Sequence, residues 1–420
     1  MIETLTSHPK TVKILKLKMI HKAYQTVSTE FIIIMASLMS LLALSIDSML
    51  PALNLIGNSL GVSNPNDNQL IISSMFLGMA MGLMLYGPLS DSFGRKKALY
   101  LGVFIFLIGD LISLLANDFT FMIIGRLCQG FGAASCRVVT TAMIRDRFEG
   151  KEMAKIMSLI MLVFIMVPVL APALGQLILV FYPWPAIFIL LFVFALTSII
   201  WLGLRQPETL DVEKRIDFSL GNVWAGIKET LSTPVSRAYT LAGGFIFGAF
   251  IGYLSCVQQI LQIQYELGSA FSFYFGALAL AIGLASFANS KLVMKFKIPT
   301  LCIAALCVFV AASFIFTLFT YYYDGHPALP FLLAYLALVF FCFGFVLGNF
   351  STLALYSLGH IAGVANSVIS TIRTLISVVV GGMIGQLYDG TVQPLVIGFL
   401  LCSLISLIIV VSINKKHSHV

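Results

Sequence analysis

The chain has 420 residues, of which 59% are hydrophobic and only 10% are charged, and its formal net charge is +7. A soluble domain with this small a share of charged residues would lack polar surface. The composition therefore indicates a multi-pass membrane protein. The basic residues are dispersed beside apolar segments, which favours topological roles and contacts with anionic lipids over nucleic-acid binding.

Twelve apolar segments follow one another along the chain, and each is long enough to cross a bilayer core, which takes about 20 helical residues. They cover residues 30–57, 68–89, 98–117, 119–143, 153–181, 185–204, 237–263, 269–290, 299–320, 328–356, 361–387 and 393–413. We expect these segments to be spans 1 to 12 of an all-α membrane protein with two six-helix halves. The expected domains are a cytoplasmic N-terminal segment 1–29, a bundle 30–204, a cytoplasmic linker 205–236, a second bundle 237–413 and a cytoplasmic tail 414–420.

Lysine and arginine outside the spans fall in alternate connections. They occur before span 1, in the loops after spans 2, 4 and 8, in the linker and after span 12, whereas the intervening loops contain neither residue type. The loop 357–360 after span 10 is the one expected cytoplasmic connection without either. By the positive-inside rule, both termini are expected to be cytoplasmic.

Span 1 carries a carboxylate deep in its apolar sequence, Asp47. Charged groups inside a membrane are costly and usually face a cavity or one another. A buried carboxylate can take up and release a proton during a transport cycle, and a cationic or polar substrate would compete for it. We therefore expect Asp47 to couple protons and to bind substrate. The alternative is a fixed ion pair with Arg126 of span 4 that only holds the two helices together.

The loop after span 2 reads Gly-Pro-Leu-Ser-Asp-Ser-Phe-Gly-Arg-Lys-Lys over residues 87–97. Its glycines permit close helix approach and a tight turn, and an aspartate at a helix end can pair with cations or cap a helix. We expect a latch between conformations that consists of Gly87, Asp91, Gly94, Arg95 and Lys96. The alternative is a solvated turn whose cations only set the topology.

Spans 3 and 4 carry three further charges. Asp110 on span 3 is expected to be a packing partner of a neighbouring helix. Arg126 and Arg137 on span 4 are eleven residues apart, close to three helical turns, so they share one face and indicate a polar lumen there. The alternative for Arg137, which is nearer the cytoplasmic end, is that its side chain snorkels to the membrane surface. Arg126 is expected to assist proton coupling at Asp47, either by stabilising its charge or through contacts of the backbone and Gln129.

Arg373 on span 11 has no acidic residue deep in any C-terminal span to neutralise it. Because guanidinium binds carboxylate and phosphate as a fork, it is expected to hold such a group of a substrate, or else to pair with Asp47 across the halves as a gate. The remaining expected substrate contacts are polar or aromatic residues among apolar ones, as a site for an amphipathic molecule needs. They are Tyr253 and Gln258 on span 7 and Asn349 and Tyr356 on span 10.

The loop 87–97 resembles the signature between spans 2 and 3 of the major facilitator superfamily. Three further stretches resemble its Bcr/CflA (bicyclomycin/chloramphenicol-type) drug-resistance branch: residues 44–53 around Asp47, residues 126–132 and residues 167–176. In the last stretch the resemblance implies a conformational helix motif at Pro168, Pro172 and Gly175. This stretch is a looser match to the antiporter motif of the superfamily, because Ala171 and Gln176 stand where that motif commonly has glycine. The departure weakens the inference of antiport but not the resemblance to the family.

Together, these features predict a proton-coupled secondary transporter of the bacterial inner membrane that exports drugs or other amphipathic molecules by alternating access, as a monomer. The alternatives are a carrier for an anionic metabolite or siderophore-like carboxylate that uses Arg373, and a receptor that does not transport. No phosphate-binding loop and no histidine pair in a span occur in the sequence, so we expect no ATP, metal or other cofactor and no enzymatic activity.

Overall fold

The computed structural model describes residues 29–217 and 219–416. Residues 1–28, which make up nearly all of the predicted N-terminal segment, and residues 417–420 of the predicted tail lie outside the described part. The regular elements within it are helices. They are α1 (Thr29–Ser59, with a 3-10 turn at Leu50–Ala52), α2 (Leu70–Phe93), α3 (Arg95–Leu114), α4 (Phe119–Arg147), α5 (Gly150–Phe181), α6 (Pro185–Arg205), α7 (Leu220–Ser232), α8 (Pro234–Val257, continued by a π-helical turn at Gln258–Gln264), α9 (Phe271–Leu292), α10 (Ile298–Tyr322), α11 (Leu329–Leu355), α12 (Ala362–Gln386) and α13 (Gln393–Lys416).

Each of the twelve predicted spans coincides with one long helix, so spans 1 to 6 are α1 to α6 and spans 7 to 12 are α8 to α13. Among the described residues, eleven of these helices are long and apolar enough to cross a membrane. The exception is α4, which contains Arg126 and Arg137 and ends in the basic residues Arg145 and Arg147. The prediction of an all-α membrane fold is confirmed.

The linker contains a helix that the sequence reasoning did not anticipate, α7. It packs against α12, where a Cβ atom on Gly226 would approach Val364 Cγ1 to 2.4 Å. Its Glu229 Oε1 also lies 2.7 Å from His360 Nε2, just before α12. This helix of the linker is therefore attached to the last six helices.

Glycines allow the first helices to pack backbone against backbone. A Cβ atom on Gly130 of α4 would lie 1.8 Å from the carbonyl oxygen of Met75 on α2, and one on Gly132 would lie 2.4 Å from the carbonyl oxygen of Gly102 on α3. Small residues permit such approach in membrane helices, where close van der Waals packing drives association. This packing places α4 in direct contact with both α2 and α3.

Side-chain hydrogen bonds join the two sets of six helices at one end, which we call the neutral end and which holds Asn66 and Tyr388. There the Asn66 side chain bonds to the carbonyl oxygens of Tyr388 and Gln386 and to Gln259. The opposite end, which we call the basic end, carries Arg95, Arg145 and the linker. A cavity separates the two sets of helices there. The described conformation is closed at the neutral end and open at the basic end.

Candidate functional site

A cavity with a volume of about 730 Å³ is lined by residues of both halves. Its walls come from α1, α2, α4 and α5 on one side and from α11 and α12 on the other, with linker residues at the basic end. Binding sites for small organic ligands typically occupy about 300–1,000 Å³. The cavity is large enough for an organic molecule and is reached from the basic end.

Two arginines line this cavity from opposite sides, Arg137 on α4 and Arg373 on α12. Arg373 Nη1 donates a hydrogen bond to Ser351 Oγ at 2.8 Å, and its guanidinium lies 6.0 Å from the centre of the Phe247 ring. In residues 29–217 and 219–416 neither arginine forms an ion pair, although their positive charges are close enough to repel each other. The cavity interior therefore carries an unneutralised positive charge.

Asp47 lies outside the cavity lining, near the closed neutral end. Its side chain is only 5% exposed, and no hydrogen bond or ion pair joins its carboxylate to any residue that the structure describes. Tyr253 of α8 lies near enough for electrostatic interaction with it, and the Tyr253 hydroxyl group is itself buried without a partner. Asp47 thus lies at the boundary between the halves, and neither a pair with Arg126 nor a pair with Arg373 forms.

Arg126 is fully buried and is held by groups of the first half instead. Its Nε donates to the carbonyl oxygen of Ile71 at 3.2 Å, and its Nη2 donates to the carbonyl oxygen of Ser45 at 3.0 Å. Its Nη1 donates to Gln129 Oε1 at 2.8 Å. Arg126 therefore contacts span 1 through the backbone, two residues before Asp47, and it does not share the cavity with Arg137. The predicted common polar lumen for both arginines is wrong for this conformation.

The counter-charge for Arg126 is Asp110. The Gln129 side chain donates from Nε2 to Asp110 Oδ1 while its oxygen accepts from Arg126. Asp110 is fully buried and its charge attracts that of Arg126. Asp110 does pack against a neighbouring helix, as predicted, but it also compensates a buried guanidinium.

Most residues that we expected in the cavity wall lie elsewhere; of them only Arg373 lines it. Tyr253 is buried between the rings of Phe275 and Phe340. Gln258 follows it towards the neutral end and bonds to Gln262.

The two wall residues expected on span 10, Asn349 and Tyr356, also lie outside the cavity lining. Asn349 and Asn289 exchange hydrogen bonds of 2.9 and 3.2 Å between α11 and α9. Tyr356 follows the end of α11 and is 72% exposed. In this conformation Asn349 joins two helices, and Tyr356 is exposed at the end of a helix.

The predicted latch residues form one cluster at the basic end. Arg95 pairs with Asp91 and with Asp146 of α4, the latter at 2.8 Å. Gly94 has φ 101°, a left-handed conformation that favours glycine, and Gly87 lines the cavity opposite Ser367.

The linker completes this cluster. Glu208 accepts hydrogen bonds of 3.0 Å from the backbone amides of Arg95 and Lys96, which begin α3. Lys96 Nζ donates to the carbonyl oxygens of Gly203 and Gln206 at 3.1 and 2.7 Å. With the basic end open, the cluster holds the first half to its own linker.

The span 5 motif lies between the two halves. A Cβ atom on Gly175 would lie 1.9 Å from the carbonyl oxygen of Ser48, directly beside Asp47. Pro168 and Pro172 lie inside α5, and the carbonyl oxygen of Pro172 accepts a 3.1 Å hydrogen bond from Ser272 of α9. The motif therefore connects the region around Asp47 with the second half.

The cavity also contains polar residues that the sequence reasoning did not single out. On α12 they are Asn366, Ser367 and Ser370, which precede Arg373. Residues 366, 370 and 373 recur at intervals of four and three, which places them on one helix face. This spacing could have predicted from the sequence that one face of an apolar helix is polar.

Comparison with known proteins agrees with this architecture. Residues 33–382 match the family described as the Major Facilitator Superfamily. The uncharacterized MFS-type transporter YdgK of Bacillus subtilis is 30% identical over 347 residues, which cover 81% of this chain and 85% of that protein. The bicyclomycin resistance protein homolog of Haemophilus influenzae is 28% identical over 382 residues, which cover 90% of this chain and 94% of that protein.

Among solved structures, the xylose transporter XylE of E. coli has the same fold with a TM-score of 0.68 at 13% identity. The match covers 93% of this chain and 98% of that one. The predicted resemblance to the superfamily and to its drug-resistance members is confirmed, and the chain is a multi-pass membrane protein. The chain therefore belongs to the Major Facilitator Superfamily of transporters.

Proposed function

We propose that this protein exports amphipathic organic molecules in exchange for protons, by alternating access, as a monomer in the bacterial inner membrane. The observation that carries the proposal is the position of Asp47. It is a buried carboxylate without a fixed partner among the described residues, between the two halves and outside the cavity. A structural ion pair would not leave the carboxylate without a partner, whereas a site that gains and loses a proton needs this freedom.

The arrangement of the halves supports alternating access. We take the basic end as cytoplasmic, because Lys and Arg concentrate in cytoplasmic connections, and the predicted halves 30–204 and 237–413 as the units that rock. The cavity then faces the cytoplasm, and the contacts of Asn66 close the outer side. Opening of the neutral end would hydrate Asp47 and let it exchange a proton with the outside.

Arg126 would transmit the protonation state of Asp47 to the first half. Its Nη2 donates a hydrogen bond to the carbonyl oxygen of Ser45, which lies in the same helical turn as Asp47. A shift of this turn would therefore change the hydrogen bond between Ser45 and the fully buried Arg126. Gly175 brings α5 against Ser48 on the other side of Asp47. Movement of α1 on protonation would therefore reach α5 and, through Pro172, the second half.

A carrier for one anionic metabolite, such as a siderophore-like carboxylate, is a second candidate. The cavity position of Arg373, without a carboxylate partner in the described residues, favours it. We favour export of varied organic molecules because the relatives with assigned names include multidrug resistance proteins and a bicyclomycin resistance protein homolog.

The test is substrate-triggered proton movement in inside-out vesicles that contain the full-length protein. Panels of cationic drugs and of organic acids are compared for the wild type, Asp47→Asn and Arg373→Ala. We expect proton release with substrate in the wild type and its loss in Asp47→Asn, because the amide cannot carry a proton in the cycle.

Asp324→Asn is the matched control. It also removes one carboxylate, but from an exposed turn, and asparagine tolerates the positive φ of 50° at this position. Retained proton movement in Asp47→Asn would contradict the proposed coupling. A response to one organic acid alone that disappears in Arg373→Ala would favour the anionic-metabolite carrier, whereas a response to varied amphipathic acids would agree with the exporter. Silence with every compound would favour the receptor.

A further inference from the structure

We propose that Arg137 and Arg373 together form a binding site for the anionic group of the transported molecule, with one arginine supplied by each half. This inference rests on the proposed transport function and specifies its substrate class. The ligand would be an amphipathic organic anion that carries a carboxylate, sulfonate or phosphate group.

The charged residues that line the cavity leave a positive charge in its interior. Its charged lining residues are Asp91, Arg137, Arg145, Asp217 and Arg373. Asp91 already pairs with Arg95 at the end of α2, and Asp217 belongs to the linker at the basic end. Arg145 lies in the last turn of α4, at the same end. The charged residues deeper in the cavity are therefore Arg137 and Arg373.

Two like charges in a confined cavity repel each other, and confinement between apolar helices strengthens the repulsion relative to water. The guanidinium groups of Arg137 and Arg373 interact in this way. An anion between them would turn the repulsion into two attractions, whereas a cation would add to it. The cavity is thus electrostatically suited to anions.

The surroundings of Arg373 hold its side chain in place. Its Nη1 bonds to Ser351, and Gly243 of α8 leaves room for its stem, since a Cβ atom there would lie 3.0 Å from Arg373 Cδ. A guanidinium has five N–H donors in a planar fork. One hydrogen bond leaves donors free for a ligand oxygen.

The remaining lining offers space for the apolar body of the ligand. Met39, Leu83, Val138, Met157 and Met161 of the first half line the same cavity. Methionine adapts its shape to varied partners, which is useful where the apolar part of a ligand varies. A fixed anion site beside a flexible apolar wall selects charge more strongly than shape.

A ligand that bridges the two arginines would also act on conformation. Arg137 belongs to α4 of the first half and Arg373 to α12 of the second, so one bound anion attracts both halves towards the cavity centre. A ligand shifts a conformational equilibrium only by its difference in affinity for the states. Bridging provides such a difference, because both contacts form best when the cavity narrows.

The experiment is equilibrium binding to the purified full-length protein in lipid nanodiscs, without a proton gradient. The probes share a naphthalene ring: 1-naphthoate and naphthalene-1-sulfonate as anions, 1-naphthamide as the neutral analogue and 1-naphthylmethylammonium as the cation. We expect Arg137→Gln and Arg373→Gln each to weaken anion binding by at least about tenfold, since hydrogen bonds to charged groups are strong. Binding of 1-naphthamide should stay unchanged, which also reports that the variants are folded.

Arg237→Gln is the matched control, because it removes one exposed arginine that lies outside the cavity lining; its anion affinity should equal that of the wild type. Unchanged anion affinity in both cavity variants, or tighter binding of the ammonium probe than of the anions, would overturn the proposal. If a glutamine variant no longer binds 1-naphthamide, the lysine variant at that position decides: retained anion preference supports the proposal, and loss of that preference overturns it.

The outcome is separable from that of the proposed function. Anion binding that depends on both arginines, together with absent proton movement in vesicles, would support this site and reject proton exchange. Proton release with cationic drugs, together with no anion binding, would support the proposed function and reject this site.

Discussion

The contacts of Asn66 at the neutral end predict a measurable effect on the conformational equilibrium. The Asn66 side chain donates from Nδ2 to the carbonyl oxygens of Tyr388 and Gln386, at 2.7 and 3.2 Å, and accepts at Oδ1 from Gln259 Nε2 at 2.9 Å. All three bonds join the first half to the second, and all three must break when the neutral end opens. Asn66→Ala should therefore destabilise the conformation described here relative to one that is open at the neutral end.

The magnitude follows from the number of bonds lost. A hydrogen bond within a protein contributes a net amount of about 0.5–1.5 kcal/mol. Because this site is only partly buried and water replaces some of the bonds, we take about 0.5–1 kcal/mol for each. Three bonds then amount to about 1.5–3 kcal/mol, which shifts the equilibrium by about 10- to 150-fold.

The assay is a double electron–electron resonance measurement between spin labels at Ser63 and Leu387, two exposed positions on opposite halves at the neutral end. In the labelled but otherwise unmodified protein, we expect a short distance to dominate. Asn66→Ala should raise the population at longer distance in the absence of substrate.

Asn58→Ala is the matched control, since Asn58 is exposed at the same end and its side chain makes no hydrogen bond to any residue in the described ranges. It should leave the distance distribution unchanged. A distribution for Asn66→Ala that equals that of the control would refute the assignment of these bonds as the outer closure.

Two further predictions concern stability. Asp110→Asn should lower the free energy of unfolding in detergent by about 1–3 kcal/mol, because the buried amide of Gln129 loses its charged acceptor; a melting temperature equal to that of the wild type would contradict this role of Asp110. Gly130→Val should destabilise the fold by at least about 1–3 kcal/mol, because its side chain would collide with the carbonyl oxygen of Met75. Gly382→Val, at a position with no neighbouring atom within 4 Å of the added Cβ, should melt like the wild type, and equal melting of both valine variants would contradict the packing argument.

The positions of the helices were predictable because hydrophobicity along a segment is a local property. About 20 apolar residues must form a helix in a bilayer, since no water is available for the backbone. The helix α4 remained recognisable although Arg126 and Arg137 lower its hydropathy. The linker helix α7 was not recognised, because its stabilising contacts with Val364 and His360 come from a distant part of the chain.

The functional residues were only partly predictable. Intramembrane charges identified Asp47, Arg126, Arg137 and Arg373 as unusual, because each is costly in an apolar environment. Their partners could not be read from the sequence, since any of several carboxylates and carbonyl oxygens could satisfy a buried guanidinium. Tyr356 was wrongly expected in the cavity wall. Its aromatic and polar side chain suits such a wall, but the residue follows the end of α11, where its side chain is exposed.

The sequence by itself predicted the long apolar helices and the rarity of charge inside them, because these properties depend on short stretches of residues. The tertiary structure decided which charges meet. Close packing of α3 against α4 brings Asp110 to Gln129 and Arg126, which leaves Asp47 without a counter-charge in the described part. Opening at the basic end brings Arg137 and Arg373 into one cavity. Such pairings depend on the relative placement of helices far apart in the chain, and only packing in three dimensions sets that placement.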